Sequence, residues 1–417
     1  MKKVIEFCVR RIGMMLCLGG LILSSCVRND VADDNPTRTV LVYIAADNNL
    51  STDANHNLYS MKSAMGNGMG HLNLLAFVDI HGAAPIMVRI HDHKIDTLMT
   101  YPEMNSADAN TLSEAIDYVR SNYKSDSYGL IMWSHGTGWL PTAQLHNVAA
   151  RSMGYARGRD GGRDEAPNDN VFGLFDRTKS FAWESRSNQR PNYVCMEIDD
   201  MVDAIPDGLF EFIAFDACYM GNIEIAYALR HKTEYVISSC YEIMSSGFPY
   251  YEVPKEILSG NLTHLCQEFY NYYNEMSLSQ QMAGISLVKT EGLDSLASCF
   301  KKIVADFRDS IPNMDVSQVQ CFDRFDKHVF YDMRDFVEKL GPSKEYLNEF
   351  VAILKKCIPF KISTPYIFPG GKDYWPVDAI SIDAYCGVSI YVPLKEYDSF
   401  GLNGDYRKTA WSRATDY

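Results

Sequence analysis

The sequence predicts an α/β fold in which a mostly parallel sheet carries helices on both faces. Two observations lead to this prediction. Short, continuous apolar runs rich in β-branched residues recur along the chain, and amphipathic stretches with helical spacing alternate with them. Such alternation is typical of parallel strands joined by crossover helices. In sheets of this kind, functional groups gather at the carboxyl ends of the strands.

The individual elements follow from the same patterns. The predicted strands are 39–46, 71–79, 85–91, 128–134, 209–216, 235–239, 282–289 and 387–393. The predicted helices lie near 58–65 and at 112–122, 194–205, 222–229, 262–275, 293–307, 325–340 and 345–357. Residues 141–192 are rich in Arg, Gly, Asn, Asp and Ser and are expected to form an exposed insertion.

Composition sets limits on function. Of 417 residues, 47% are hydrophobic, which is enough apolar material for one large core or two modest ones. Lys plus Arg is 39 and Asp plus Glu is 53, so the formal net charge is 39 − 53 = −14. An acidic protein repels nucleic-acid backbones, so we expect no nucleic-acid partner.

The first residues resemble an export signal. Lys2, Lys3, Arg10 and Arg11 precede an apolar stretch at 12–23 that is too short for a membrane-spanning helix. The stretch ends in Leu-Ser-Ser-Cys, which resembles the bacterial lipobox with Cys26 as the acylated residue. We therefore expect residues 1–25 to be a lipoprotein signal peptide and 26–38 a lipidated tether. The expected location is a bacterial membrane surface, periplasmic or cell-surface, and the alternative is an ordinary signal peptide with a chance cysteine.

Eight cysteines follow residue 26, and they show neither CxxC pairs nor metal-ligand spacing. Most have apolar neighbours and are expected to behave as small core residues. A structural disulfide among them stays open at this point.

Two short motifs carry possible chemistry. His135 follows the strand 128–134 and precedes Gly136, while Cys218 follows the strand 209–216 at or near a helix start. A helix N-terminus and a neighbouring imidazole would both favour the thiolate, the nucleophilic form of cysteine. The backbone N–H groups of Gly136 and Cys218 could together bind an oxyanion. The motifs alone leave an alternative open, in which Cys218 is a packed core residue and His135 an ordinary loop residue.

Five sequence blocks resolve this ambiguity by resemblance. VYIAADNNLS (42–51), LIMWSHGTGW (130–139), FDACYMGNIEIAYALR (215–230), YVISSCYEIMSSGFPY (235–250) and GVSIYVP (387–393) resemble the clostripain family of cysteine peptidases, in the family's order. The resemblance implies a caspase-like α/β/α sandwich, with a catalytic domain at 39–290 and a helical region with a final strand at 291–417. It also implies a catalytic pair of His135 and Cys218.

The resemblance further implies cleavage after Arg, less well after Lys, with Asp216 binding the basic side chain. A carboxylate suits this role because it can pair with a guanidinium through two hydrogen bonds. The alternative is that Asp216 caps the following helix. Tyr219 stands where the family usually has Leu, so a shifted preference at this pocket is a further alternative.

Family members carry an autoprocessing site between the two catalytic residues. The segment 141–192 is therefore expected to be cleaved by the enzyme itself, although a solvated loop explains its composition equally well. The basic residues that could precede the cleaved bond are Arg151, Arg157, Arg159, Arg163, Arg177, Lys179, Arg186 and Arg190.

No organic cofactor or metal is expected. Some relatives respond to Ca²⁺, but the sequence provides no recognisable ligand set. The expected partners are peptides or proteins with Arg or Lys before the cleaved bond, together with the membrane that holds the lipid. The rival hypothesis is a catalytically silent surface lipoprotein that keeps the fold to bind peptides or proteins.

Overall fold

The structure is a computed structural model that describes residues 38–66, 68–141, 144, 181, 183–184, 194–277, 280–323, 325, 327–367 and 379–417. The first strand, β1 (Arg38–Ala46), is buried from Thr39 onward. Val40, Val42 and Ile44 pack into one hydrophobic core, while Leu41, Tyr43 and Ala45 pack into another. Since side chains alternate along a strand, both faces of this sheet are covered by other elements.

The other strands are β2 Leu72–Ile80, β3 Ile86–His91, β4 Lys94–Thr100, β5 Ser127–Trp133, β6 Trp183–Glu184, β7 Val194–Cys195, β8 Phe210–Asp216, β9 Thr233–Ser238, β10 Gly284–Lys289, β11 Tyr331–Asp332, β12 Phe360–Ser363, β13 Tyr366–Ile367, β14 Ile380–Ser381 and β15 Ser389–Ile390. Nine of them form one sheet in the order β12-β10-β9-β8-β5-β1-β2-β3-β4. The five central strands from β9 to β2 are parallel, and antiparallel strands extend both edges. The predicted α/β class is thus confirmed.

The helices are α1 Ser51–Ala64, α2 Ala109–Asn122, α3 Ile198–Ala204, α4 Ile223–Ala228, α5 Val253–Ser259, α6 Leu262–Asn274, α7 Leu293–Ala305, α8 Met333–Leu340, α9 Lys344–Cys357, α10 Leu402–Tyr406 and α11 Ala410–Thr415. Helices α1, α5 and α6 cover one face of the sheet, and α2, α7, α8 and α9 contribute to the core on the other. Within the described ranges, none of these helices combines the length and apolar character that crossing a bilayer requires.

The expected helix at 325–340 is wrong in its first half, because the structure has a helix only from Met333. The Asp323 carboxylate accepts the backbone N–H groups of Phe325, Val329 and Phe330 at 2.9–3.0 Å. These donors are satisfied within a loop and do not form a helical ladder. Residues 194–205 likewise begin with the strand β7 and become helical only at Ile198.

The last predicted strand, 387–393, is also shorter than expected. Only Ser389–Ile390 is a strand, and it pairs with β11 outside the main sheet. The strand that pairs with β10 at the edge of the main sheet is β12, which the sequence patterns did not reveal. Through β12, the later part of the chain adds to the same sheet as β1, and the described residues from Arg38 to Tyr417 form one unit.

Candidate active site

The register of two parallel strands brings His135 and Cys218 to the same edge of the sheet. Trp133 of β5 lies opposite Asp216 of β8, and each candidate residue comes two positions after its strand partner. Ser134 joins the strand ends, since its N–H donates to the Asp216 carbonyl at 3.3 Å and its Oγ to the Ala45 carbonyl at 2.6 Å. His135 and Cys218 are both buried. The strand-end position that the sequence suggested for both residues is present in the structure.

Gly136 allows the two segments to approach each other. A Cβ at this position would lie 2.5 Å from the Cys218 carbonyl oxygen and 3.0 Å from the Ala217 Cβ. Real Cβ atoms do not come this close to backbone, so any larger residue would push the two strand ends apart. Glycine is therefore required here by close packing next to the proposed nucleophile.

The Cys218 thiol lies against the loop that follows β9. The Ile243 N–H points at Sγ from 3.3 Å, and Sγ is 3.5 Å from the Ile243 carbonyl oxygen. The sequence placed Cys218 at or near a helix start, but α4 begins only at Ile223, so the thiol lies before the helix and not in its first turn. A backbone amide from the loop, not the first turn of a helix, is therefore the donor that the structure places on this sulfur.

The turn between Cys218 and α4 is backbone-strained. Tyr219 has φ +58°, a left-handed conformation that costs a non-glycine residue about 1–3 kcal/mol. Its N–H donates to the Tyr241 carbonyl at 3.1 Å, and its buried ring stacks on Phe330 with 5.0 Å between centroids. These contacts hold the backbone next to the thiol, and they give the tyrosine ring a packing role.

His135 contacts a residue that the sequence reasoning had not singled out. Its Nε2 lies 2.8 Å from Oδ1 of Asn49, which follows β1 in the chain. Asn49 sits in the first of the five family-like blocks, at the polar end of a buried strand. That position was the available signal, because strand ends are where functional groups gather in such sheets.

The Asp216 side chain is buried, with 5% of the residue exposed, and both of its side-chain hydrogen bonds use Oδ2. The Phe248 N–H donates to this oxygen at 2.9 Å and the Tyr250 hydroxyl at 2.8 Å. Hydrogen bonds among the described residues include none to Oδ1. Burial raises the pKa of the carboxyl to about 6, although both hydrogen bonds oppose the shift.

The alternative that Asp216 caps the next helix is wrong. Asn222 has that role, because its side-chain oxygen accepts the Ile225 N–H at 3.2 Å. Asp216 instead anchors the 247–250 segment, where Gly247 has φ +67° and a Cβ would collide with the carboxylate. The same loop region thus contacts both the thiol and the carboxylate, which no sequence pattern indicated.

The structure therefore brings together His135, Gly136, Asp216 and Cys218. Several other predicted site residues lie outside the described residues: Cys26 and the basic residues Arg151, Arg157, Arg159, Arg163, Arg177, Lys179, Arg186 and Arg190. No disulfide links the eight described cysteines, which resolves the alternative left open by the sequence. In the described part of the chain, no group of three or more His, Cys, Asp or Glu residues is arranged to hold a metal.

A thiol and an imidazole lie at neighbouring parallel strand ends, beside a glycine and a buried carboxylate, and these are the groups that a cysteine hydrolase needs. The family model for the clostripain family matches residues 42–168 and 176–361. The chain belongs to this family.

Individual relatives agree with the assignment. Clostripain from Hathewaya histolytica is 24% identical over 334 residues, 72% of this chain, and the match spans 54% of the relative's length. An inactive zymogen C11 protease from Parabacteroides distasonis is similar in structure, with a TM-score of 0.71, 29% identity and coverage of 92% of this chain and 99% of that one. A secreted C11 cysteine protease from Bacteroides thetaiotaomicron, solved with an irreversible peptide inhibitor, has a TM-score of 0.72 at 26% identity, covering 91% and 99%.

Proposed function

We propose that the protein is a cysteine endopeptidase that cleaves after Arg, and less well after Lys. The observation that carries this proposal is the β5–β8 register, with Trp133 opposite Asp216. This pairing sets His135 and Cys218 at equivalent positions on adjacent strand ends. Membership of the clostripain family supports the same chemistry.

In the proposed mechanism, the Cys218 sulfur attacks the carbonyl carbon of the scissile peptide bond. His135 takes the thiol proton and delivers it to the leaving amine, which leaves a thioester on Cys218. A water molecule, deprotonated by His135, then releases the acid product. The backbone N–H groups of Gly136 and Cys218 are proposed to bind the oxyanion, a contribution of about 3 kcal/mol per donor in enzymes where it has been tested.

The preference for Arg is proposed to come from Asp216. The carboxylate is buried, its Oδ2 is held by Phe248 and Tyr250, and its Oδ1 receives no hydrogen bond from the described residues. A guanidinium that bonds to Oδ1 would supply the counter-charge that this buried acid lacks. Lysine offers one compact charge without the planar fork, so weaker cleavage after Lys is expected.

Self-cleavage within 141–192 is proposed to activate the enzyme, and the description of one relative as an inactive zymogen supports the idea. The segment carries eight basic residues, each of which fits the proposed specificity. Purified wild-type protein should resolve into two fragments on a denaturing gel, and Cys218→Ala protein should stay intact. Mass spectrometry of the fragments would identify the bond, and an active, uncleaved wild type would refute activation by cleavage.

Export and lipid anchoring through Cys26 are proposed from the N-terminal sequence, and one relative is described as secreted. Cells grown with a palmitate analogue should label the wild-type protein and leave Cys26→Ala unlabelled. Equal labelling of both proteins would exclude this anchor.

The decisive experiment compares fluorogenic peptides that differ only in having Arg, Lys or Ala before the cleaved bond. Residues 27–417 should hydrolyse the Arg peptide fastest, and Cys218→Ala should be inactive. Cys321→Ala is a matched control, because Cys321 is a partly exposed cysteine that pairs with Tyr331, outside the main sheet. Dialysis against EDTA, with and without added Ca²⁺, tests the proposal that no metal is needed. Lack of turnover by the wild type, even after limited trypsin cleavage, would favour the peptide-binding lipoprotein.

A further inference from the structure

The hydrogen bond between Asn49 and His135 determines which ring nitrogen can act as the base. Oδ1 of Asn49 is an acceptor only, so the Nε2 atom that lies 2.8 Å away must carry a proton. In the neutral imidazole the other nitrogen, Nδ1, then holds the lone pair. In this tautomer Nδ1 is the nitrogen that can accept the thiol proton.

The backbone around Asn49 is fixed, although its side chain is exposed. Ser51 Oγ donates to the Ala46 carbonyl at 2.6 Å and accepts the His81 N–H at 3.0 Å. The buried Asn48 accepts the Leu50 N–H at 2.9 Å through Oδ1. These bonds hold the turn between β1 and α1, so Asn49 is presented from a rigid strand end and not from a loose loop.

The other side of His135 is held by the same strand. Ser134 Oγ donates to the Ala45 carbonyl at 2.6 Å, four residues before Asn49. The backbone before the histidine and the acceptor for its ring are therefore both tied to the end of β1. Such an arrangement fixes where the imidazole lies and how it is rotated.

We propose that Asn49 is a positioning residue for the peptidase reaction, which selects the Nε2–H tautomer of His135 and stabilises its imidazolium form. The proposal rests on the proposed function of His135 as the base. The hydrogen bond from Nε2–H to the amide oxygen becomes stronger when the ring is charged, because hydrogen bonds from ionised donors are stronger than those from neutral donors. Asn49 thereby favours transfer of the thiol proton from Cys218 to His135.

The test compares Asn49→Ala and Asn49→Asp with a matched control, Asn55→Ala, in the full chain. Asn55 is exposed on α1, and its side chain bonds only the Ser51 carbonyl within the described part of the chain. Two readouts are needed: kcat and KM for an Arg peptide, and the pH dependence of iodoacetamide labelling of Cys218, followed by peptide mass spectrometry.

We expect Asn49→Ala to lower kcat about tenfold to a hundredfold with little change in KM, by analogy with the loss of a partner that orients a metal-binding imidazole. The pH midpoint of Cys218 labelling should rise by about one unit, since the imidazolium loses one charge-assisted hydrogen bond. Asn49→Asp retains an acceptor, so its labelling midpoint should lie at a lower pH than that of Asn49→Ala. Asn55→Ala should match the wild type in both readouts.

The outcomes separate the two proposals. An unchanged labelling midpoint and kcat in Asn49→Ala would overturn the positioning role, even if the wild type is an active peptidase. A wild type that hydrolyses no peptide would refute the proposed function, whereas the labelling midpoints would still test the influence of Asn49 on the thiol. A parallel loss of kcat and of thermal stability, with no shift in labelling, would mean that Asn49 is only structural.

Discussion

Replacing Asp216 by asparagine should stabilise the protein while removing its proposed specificity. The carboxyl is buried and its pKa is raised from 3.8 to about 6, so its ionised form destabilises the folded state. The difference between 3.8 and about 6, roughly two pKa units, corresponds to about 3 kcal/mol. Asparagine has nearly the same shape, remains neutral, and can still accept from Phe248 and Tyr250 through its oxygen.

The direction in which stability changes with pH follows from the difference in proton binding between the folded and unfolded states. Between pH 3.8 and about 6, the folded protein binds more protons at Asp216 than the unfolded chain does, so wild-type stability falls as the pH rises. Above pH 6 this decrease in stability is complete, and stability no longer changes through Asp216. Asp216→Asn lacks this decrease, so its advantage should be near zero below pH 4 and approach about 3 kcal/mol above pH 6.

Urea unfolding at pH 4, 5, 6 and 7.5 measures this difference directly. Asp309→Asn, which removes one exposed carboxylate, controls for net charge. The reasoning is refuted if Asp216→Asn is less stable than the wild type at pH 7.5, or if its advantage does not change with pH.

The same substitution should abolish selectivity for Arg. Loss of one partner of a buried ion pair costs about 3–5 kcal/mol, which corresponds to a decrease of about 10²–10⁴-fold in kcat/KM for an Arg peptide. In the wild type, kcat/KM for this peptide should fall as the pH drops through about 6, where Asp216 becomes protonated. An Ala peptide should show neither effect, and an Arg preference that survives in Asp216→Asn would place specificity elsewhere.

Two further substitutions test the packing beside the nucleophile. Gly136→Ala should reduce activity more than a hundredfold, an estimate based on a misplacement of about 1 Å at the reacting centre; the control Gly404→Ala, on a helix where a Cβ meets nothing within 4 Å, should retain activity. Phe330→Ala and Phe269→Ala both remove a buried ring and should each cost about 3–5 kcal/mol in urea unfolding. At a temperature where both stay folded, only Phe330→Ala should lower kcat, because it removes the ring that stacks on Tyr219. Equal kcat values would show that this stack does not support the catalytic turn.

The α/β class and the main strands were predictable because each depends on a pattern of neighbouring residues. Each buried parallel strand is a continuous apolar run, and the strands observed at Arg38–Ala46 and Phe210–Asp216 lie within one residue of those expected. The expected helix at 325–340 failed in its first half because a nearby side chain satisfied the backbone N–H groups. Asp323 replaced the helical ladder expected at 325–332, and no local pattern shows that a carboxylate will do so.

The sequence by itself determined the family and the parallel sheet. It also identified the site candidates His135, Gly136, Asp216 and Cys218, because strand ends and short motifs consist of consecutive residues. Only the tertiary structure decided which groups surround them. Asn49 reaches His135 across 86 positions, and Tyr250 reaches Asp216 across 34. Such contacts depend on strand order and register, which arise from packing both faces of the sheet and not from any local pattern.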